Sequence, residues 1–584
     1  MLALFTSSLL AINTVSLNSQ SLPQKLSSPA PIAQFLPVDA PLVGLISTKT
    51  EKWQSLSKFE LFKQVFATAE KVFPAQMGLN YQTDIKPWLG EQVALAFLPQ
   101  KPSKSVSLDA SFVIITAVKD QNQLQALIGK FKASKPQEVR ERQYKGVKIL
   151  EWKAPKPTSH NVSIASPVST LLLKTYSLPT SLVAAVPSIP TLPVSKPNNI
   201  KRQGIAIALL PGYMVTASTA LPIEQLIDKP IGSANLAQNL NFKQTTQHPQ
   251  YSQALFTLYQ DPNKFLSLFN SLAQDPNLPF PIPLSAINPS QVQQYSSLNG
   301  LIWEQKEGLR LQINAYRHKP SLANAFTPNT AQLLPRIPAP AYSTTTGRNI
   351  YGQWQMLVTV LSSNPQFKDG LAKFRKTISS TTGLDIDKDI LGWMDGEYAL
   401  FFYPTKQGLL SSELKLGLGF LVQTRSRTKA ESSLNKLDKS IKSIFSGALS
   451  VNTHNIDGIS VNTWDIGQQS VFAHSWVDDK TLLISTGLGA MRELLPQPQK
   501  QLPKDYNFAT ATSFLPYPNQ GYFYINMGSS LSWIYSFAPT VFNAPDFQIF
   551  KQVIGSIRSF STTTSTTSKQ EQYDGLVVLA PAKK

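Results

Sequence analysis

The order of hydrophobic and polar positions predicts the same series of elements in two parts of the chain. Short apolar runs at residues 93–98 and 398–403, each ended by a proline, predict two equivalent strands. In each part a second strand follows, and then an amphipathic helix with apolar residues three and four apart. The helix positions are Leu124, Leu127, Ile128 and Phe131 in the first part, and Leu434, Leu437, Ile441, Ile444 and Phe445 in the second.

The residues around the first of these strands are themselves repeated. Residues 78–99 and 383–404 align without a gap, and 9 of their 22 positions are identical. Random pairing at average residue usage would give about one or two identities. The shared Asp84 and Asp389 are each predicted to be the N-cap of a short helix. The shared residues Trp88 and Trp393 are predicted to pack in the core.

A tight turn between two strands also occurs in both parts. A Lys-Gly pair ending at Gly146 and an Asp-Gly pair ending at Gly458 precede alternating apolar and polar residues. Glycine at the second position of a two-residue turn is typical of a β-hairpin. The second strands end at Trp152 and Trp464, which are predicted to be equivalent core residues.

These repeats predict two homologous units that arose by internal duplication. Neighbouring strands are mostly joined by tight turns, so each unit is predicted to be α+β, with a largely antiparallel sheet and helices packed on one face. The first unit spans residues 33–318 and contains a Pro/Ser-rich insert, residues 153–201, that is predicted to be flexible. The second unit spans residues 331–584, and residues 319–330 are predicted to link the two.

Residues 1–32 are predicted to be a leader followed by a flexible tether. The leader has an apolar run of the length of a signal-peptide core, too short to span a bilayer. The chain of 584 residues contains no cysteine, which excludes disulfide and thiolate chemistry and suits an extracytoplasmic compartment. We therefore expect an exported or membrane-anchored protein of the periplasm, thylakoid lumen or cell envelope.

The net charge predicts an anionic partner. The chain carries 54 Lys and Arg against 35 Asp and Glu, a formal net charge of +19. The basic residues are scattered among acids, and no nucleic-acid-binding motif accompanies them. We therefore expect an anionic membrane surface or envelope proteins as partners, and not a nucleic acid.

No part of the sequence has the spacing of a catalytic, metal or cofactor site, and none is predicted. The three alternating aspartates that end at Asp389 resemble a calcium loop. Ile390 and Gly396, however, occupy the positions where an EF-hand loop needs glycine and glutamate. Glu91 and Glu397, the acids nearest the repeated tryptophans, are interpreted as solvated turn residues.

Several segments of the sequence resemble a known family. They are Leu36-Pro37 with residues 40–43, residues 84–91 leading into residues 93–97, and residues 144–147. In these segments the chain resembles the family called domain of unknown function 3352. The members of this family are exported or membrane-tethered bacterial proteins found mainly in cyanobacteria. The resemblance covers nearly all of the chain beyond the leader. It implies an exported or tethered location and implies no activity, ligand or catalytic residue.

Three functions remain open at this point. The first is non-enzymatic binding or scaffolding at a membrane surface, which the leader, the missing cysteine and the positive charge favour. The second is the carriage of an apolar ligand, a lipid or pigment, in a cavity lined by the repeated aromatic residues. The third is hydrolysis of envelope polymers by carboxylates, because paired carboxylates leave no local signature in a sequence.

Overall fold

The computed structural model describes twelve segments of the chain. They are residues 31–63, 65–66, 79–99, 111–134, 139–152, 204–229, 234–272, 289–321, 328–362, 365–445, 447–537 and 551–582. The predicted leader, apart from residues 31 and 32, and the predicted insert at 153–201 lie outside these residues.

Twenty strands of the described part form one sheet. Those of the first half are β1 Leu42–Ser47, β2 Leu89–Phe97, β3 Phe112–Val118, β4 Val139–Tyr144, β5 Val147–Trp152, β6 Ile205–Leu210, β7 Tyr213–Ala217, β8 Phe256–Gln260, β9 Tyr295–Gln305 and β10 Gly308–Arg317. Those of the second half are β11 Ser343–Arg348, β12 Glu397–Pro404, β13 Leu416–Gln423, β14 Ser450–Ile456, β15 Ile459–Ile466, β16 Gln469–Trp476, β17 Thr481–Ser485, β18 Tyr522–Asn526, β19 Ile557–Thr566 and β20 Gln570–Leu579.

The α-helices of the described part lie between these strands. In the first half they are α1 Thr50–Gln54, α2 Gln121–Ser134, α3 Ala220–Ile227, α4 Leu240–Thr246, α5 Pro262–Leu272 and α6 Pro289–Gln293. In the second half they are α7 Ile350–Ser362, α8 Pro365–Thr382, α9 Ser411–Leu414, α10 Arg427–Ile444, α11 Leu488–Leu494, α12 Tyr506–Thr512 and α13 Met527–Phe537.

Every strand pairing in the sheet is antiparallel, and the two halves follow the same order. The first half runs β4-β5-β6-β7-β3-β2-β1-β8-β9-β10 across the sheet. The second continues β20-β19-β18-β11-β12-β13-β17-β16-β15-β14. The halves join where β10 pairs with β20, from Gly308 opposite Val578 to Tyr316 opposite Gln570. The prediction of an α+β fold with a largely antiparallel sheet is confirmed.

Helices pack on both faces of this sheet, so the prediction that they pack on one face is wrong. Helices α3, α4, α11 and α12 contribute to the apolar cores on one face. Helices α1, α2, α7 and α10 contribute to those on the other. The strands show the reason, because consecutive residues such as Leu45 and Ile46 are both buried and must face opposite sides.

A polar band divides the two apolar cores on the first of these faces. It lies where the halves meet, and Asp574 on β20 is at its centre, 1% exposed. Arg310 Nη2 and Gln312 Nε2 on β10 donate to Asp574 Oδ1 at 2.6 and 3.0 Å, and Gln572 Nε2 donates to its Oδ2 at 2.6 Å. Three donors from side chains therefore satisfy a carboxylate that is removed from water.

Candidate functional site

The sequence predicted that Asp84 is the N-cap of its helix. In the structure Asp84 lies within the helical turn, and another residue is the N-cap. The N-cap of the π-helical turn Tyr81–Ile85 is Asn80, whose Oδ1 accepts backbone N–H groups of the turn at 2.9 and 3.2 Å. Asp84 Oδ2 accepts the Asn80 N–H at 2.8 Å, and its Oδ1 accepts Lys130 Nζ at 3.0 Å. The Trp88 indole donates to the Asp84 carbonyl at 2.8 Å. The N-terminal end of the turn is thus closed by reciprocal bonds, and the Trp88 indole satisfies a carbonyl near its C-terminal end.

Asp389 makes the same set of contacts in the second half. The N-cap of the turn Ile386–Ile390 is Asp385, whose N–H donates to Asp389 Oδ2 at 3.0 Å. Lys436 Nζ donates to Asp389 Oδ1 at 3.0 Å, and the Trp393 indole donates to the Asp389 carbonyl at 3.1 Å. These residues hold the loop before a strand in place, which is a structural role.

The hydrogen bonds of these two aspartates lower the pKa of each carboxyl. For Asp84 the backbone N–H of Asn80 is the larger cause and Lys130 the next. For Asp389 the N–H of Asp385 is the larger cause, followed by Lys436. No group of three or more side chains able to hold a metal ion occurs in the described part of the chain.

The repeated hairpin residues also have structural positions. Gly146 and Gly458 lie at the tips of the β4–β5 and β14–β15 hairpins with φ angles of 82° and 83°, where glycine is favoured. Trp152 packs against the core under α2. Trp464 stacks on Phe472 with ring centroids 4.1 Å apart, and its indole donates to an aspartate of α10 at 2.7 Å.

The two glutamates near the repeated tryptophans differ from each other. Glu91 is exposed and pairs with Lys49 at 2.9 Å. Glu397 is 1% exposed, so its interpretation as a solvated turn residue is wrong. Its carboxylate accepts the N–H and the hydroxyl of Thr330 and the N–H of Gln332, the last at 3.2 Å. Residues 330–332, where the link meets the second half, therefore satisfy this buried acid.

Helix α7 is unusual because it has no charged residue and yet exposes large apolar side chains. Its 13 residues, IYGQWQMLVTVLS, include no charged side chain. A helix that is apolar on all sides is normally buried. Here Tyr351, Met356 and Leu357 are 36%, 64% and 47% exposed.

The neighbouring helix α8 adds exposed aromatic rings and positive charge. The sequence places Phe367, Leu371, Phe374 and Ile378 on a single stripe of this helix. Leu371 is buried, but Phe367 and Phe374 are 44% and 46% exposed. Lys368, Lys373 and Lys376 are exposed on the same helix. Phe374 packs near Trp354 of α7, with ring centroids 6.3 Å apart, which holds the two helices together.

We call these exposed side chains of the two helices the α7–α8 patch: Tyr351, Met356, Leu357, Phe367, Phe374, Lys368, Lys373 and Lys376. Helix α8 also exposes one acid, Asp369. Sequence periodicity missed the patch, because spacing alone cannot distinguish an apolar stripe that faces the core from one that faces outward. The run of 13 uncharged residues was the available signal. Large apolar side chains beside lysines are the composition of a helix that lies on a membrane surface. None of the described helices is both long and apolar enough to cross a membrane.

Comparison with known proteins gives a family match and a weak structural likeness. The family model described as "Protein of unknown function (DUF3352)" matches residues 1–579. No curated protein matches the chain. Crystal form I of TP0453 is similar at 9% identity and a TM-score of 0.23, over 49% of this chain and 77% of that one. Crystal form III of TP0453 gives 8% identity and a TM-score of 0.23, over 50% and 81%.

Proposed function

We propose that this chain, which belongs to the DUF3352 family of proteins of unknown function, binds anionic membrane surfaces through the α7–α8 patch. The role is non-enzymatic binding or scaffolding in the cell envelope, with the chain exported or membrane-anchored. The observation that carries the proposal is the exposure of five large apolar side chains on two helices that also present three lysines.

The two kinds of side chain act together at a lipid surface. Apolar groups that leave water for the headgroup boundary stabilise the bound state by about 25 cal/mol per Å². Each lysine close to an anionic leaflet contributes about 1 kcal/mol more. The formal net charge of +19 brings the protein to such a surface from a distance, and salt weakens that attraction.

We also propose that the two halves arose by internal duplication. The 9 identities in 22 aligned positions support it, as do the common order of strands and the matching contacts of Asp84 and Asp389. In this proposal the membrane-binding helices lie in the second half.

The two alternative functions have less support. A lipid or pigment carrier needs a large apolar cavity, but the cavity of about 330 Å³ near Lys52 and the one of about 470 Å³ beside Trp533 both have lysine side chains at their walls. A hydrolase of envelope polymers needs two carboxylates in one cleft. Among the described residues that line the cavity near Lys52, Glu91 is the one acid.

Vesicle binding tests the proposal. The full chain is sedimented with phosphatidylcholine vesicles and with vesicles that also contain phosphatidylglycerol. We expect binding to the anionic vesicles that falls as salt rises. Met356→Ser with Leu357→Ser, and separately Lys373→Glu with Lys376→Glu, should each reduce binding about tenfold or more, because each pair removes one of the two attractions.

A matched control uses exposed apolar residues on the opposite face of the sheet. Leu240 on α4 and Tyr506 on α12 are 76% and 72% exposed. Leu240→Ser with Tyr506→Ser should leave vesicle binding unchanged. Equal losses in the control and in the patch variants would contradict the proposal. So would a cell fractionation in which the protein stays wholly with the cytosol.

A further inference from the structure

A cavity of about 330 Å³ opens beside the end of β1 in the first half. Residues of β1, β2, β3, β7 and β8 line it, together with residues 31 and 32, the lysines near α1 and the residues just before β8. Its size lies at the lower end of the range of roughly 300–1,000 Å³ that is usual for small-molecule sites.

One side of the cavity carries positive charge. Lys49 and Lys52 both line it. Lys52 Nζ donates to the Ala254 carbonyl at 2.9 Å, and burial lowers the pKa of Lys52, with Lys49 as the next cause. Lys49 pairs with the exposed Glu91 at 2.9 Å. An anionic group at this side would meet two ammonium groups and the largely exposed carboxylate of Glu91, which also lines the cavity.

A side chain with a buried acceptor also lines the cavity. Gln92 Nε2 lies 3.5 Å from the Tyr251 hydroxyl, but Gln92 Oε1 is buried and has no hydrogen-bond partner among the described residues. A buried carbonyl oxygen without a donor is unfavourable. Leu45, Ala117 and Tyr213 add apolar surface to the lining.

The second half has other side chains at two of the positions that line the cavity. Ala117 pairs with Tyr213 across β3 and β7, and Gln423 pairs with Thr481 across the corresponding strands. Gln423 is a larger side chain than Ala117 and donates to the Thr481 hydroxyl at 3.4 Å. Glu397, which accepts hydrogen bonds from residues 330–332, has the position of Gln92. The side chains at these two positions are therefore particular to the first half.

We propose that this cavity binds a small carboxylate that has an apolar body and an amide or hydroxyl donor. The carboxylate pairs with Lys52 and Lys49. The apolar body lies against Leu45, Ala117 and Tyr213, and the donor satisfies Gln92 Oε1. This site is separate from the α7–α8 patch, and neither proposal depends on the other.

Calorimetric titration of the full chain with N-acetyl-leucine tests the proposal, because this probe has all three features. We expect one binding site per chain. N-acetyl-leucinamide, which lacks the carboxylate, should bind at least tenfold more weakly. 4-Methylpentanoate, which lacks the amide donor, should bind severalfold more weakly. The absence of saturable binding at millimolar N-acetyl-leucine, or equal binding of the amide, would overturn the proposal.

Variants of the cavity locate the site. Ala117→Gln places the residue of the second half in the cavity and should abolish binding. Lys52→Gln should weaken it about tenfold, the usual effect of losing one charged hydrogen bond. Glu91→Gln removes a competing carboxylate and should strengthen binding severalfold.

Two controls separate a lost site from a lost fold. Glu91 is 76% exposed, so Glu91→Gln will fold, and its effect has the opposite sign to the others. Lys480→Gln alters an exposed lysine of the second half, whose Nζ donates to Gln332 Oε1, and should leave binding unchanged. Wild-type affinity in the Ala117→Gln variant, or weaker binding in Glu91→Gln, would show that the probe binds elsewhere and would overturn the assignment.

Discussion

The two halves place different residues at one position of the same strand pair, and the two side chains differ in whether their polar atoms have hydrogen-bond partners. In the second half Glu397 lies opposite Arg348 and accepts three hydrogen bonds from residues 330–332. In the first half Gln92 lies opposite Ser47 and leaves an acceptor unsatisfied beside a cavity. The strand pairings around Gln92 and Glu397 are the same in the two halves. The sheet therefore tolerates either residue, and the position can differ between halves without a change of fold.

The largest expected effect comes from removing the buried acid. Glu397→Ala leaves the donors of Thr330 and Gln332 without an acceptor, and we expect a loss of about 3 kcal/mol in the free energy of unfolding. Gln92→Ala at the matching position should cost less than about 1 kcal/mol, because its Oε1 has no partner among the described residues to lose. Urea unfolding of both variants checks this. Equal losses would mean that the two positions are not as different as their contacts indicate.

A smaller effect is expected where the halves are alike. Asp84→Ala and Asp389→Ala each remove the reciprocal bond of a capped turn and a lysine contact, so each should cost about 1 kcal/mol. The measurement is again urea unfolding, with Asn replacements as the milder members of the series. Losses that differ between the two sites by more than the experimental error would break the equivalence of the turns.

The dependence of stability on acid pH isolates the contribution of Asp84 and Asp389. Their pKa values are lowered in the folded chain, mainly by the backbone N–H groups of Asn80 and Asp385. A carboxyl with a lowered folded pKa stabilises the protein above its unfolded pKa, about 3.9, and loses that contribution as pH falls through the folded value. The double variant Asp84→Asn, Asp389→Asn should therefore lose less stability than the wild type between about pH 5 and pH 2. Parallel curves for the two proteins would contradict the assignment.

The elements that local pattern specifies were predictable from the sequence, and the contacts between distant segments were not. The tight hairpins and the strands after Trp88 and Trp393 follow from alternation and turn residues. The burial of Glu397 depends on Thr330, which is 67 residues away in the chain. The polar side chains of β10, such as Gln312, have the composition of an exposed edge. They are buried because β20 supplies Asp574.

The candidate surface was hidden for a related physical reason. Periodicity gives the direction of an apolar stripe relative to its own helix, but not what covers it. Phe367 and Leu371 belong to the same predicted stripe, and only Leu371 is buried. The Lys52 cavity left no local signal, because its lining comes from five strands that are separated in the chain.

The smallest expected effect concerns Lys52, whose counterpart one residue before the matching tryptophan is Gln353. Burial lowers the pKa of Lys52 in the folded chain, so the folded state holds this proton less tightly than the unfolded state does. The contribution of Lys52 to the free energy of unfolding is therefore lowest at pH values below its folded pKa. That contribution rises as the pH increases towards the pKa of lysine in the unfolded chain, about 10.4. Lys52→Gln should remove that rise, so the melting temperature of the variant should gain less than that of the wild type as pH approaches 10. Gln353→Lys in the second half, at an exposed position, should leave the alkaline profile unchanged. Identical profiles for Lys52→Gln and the wild type would mean that Lys52 is fully hydrated. The two halves would then not differ in the electrostatics of this position.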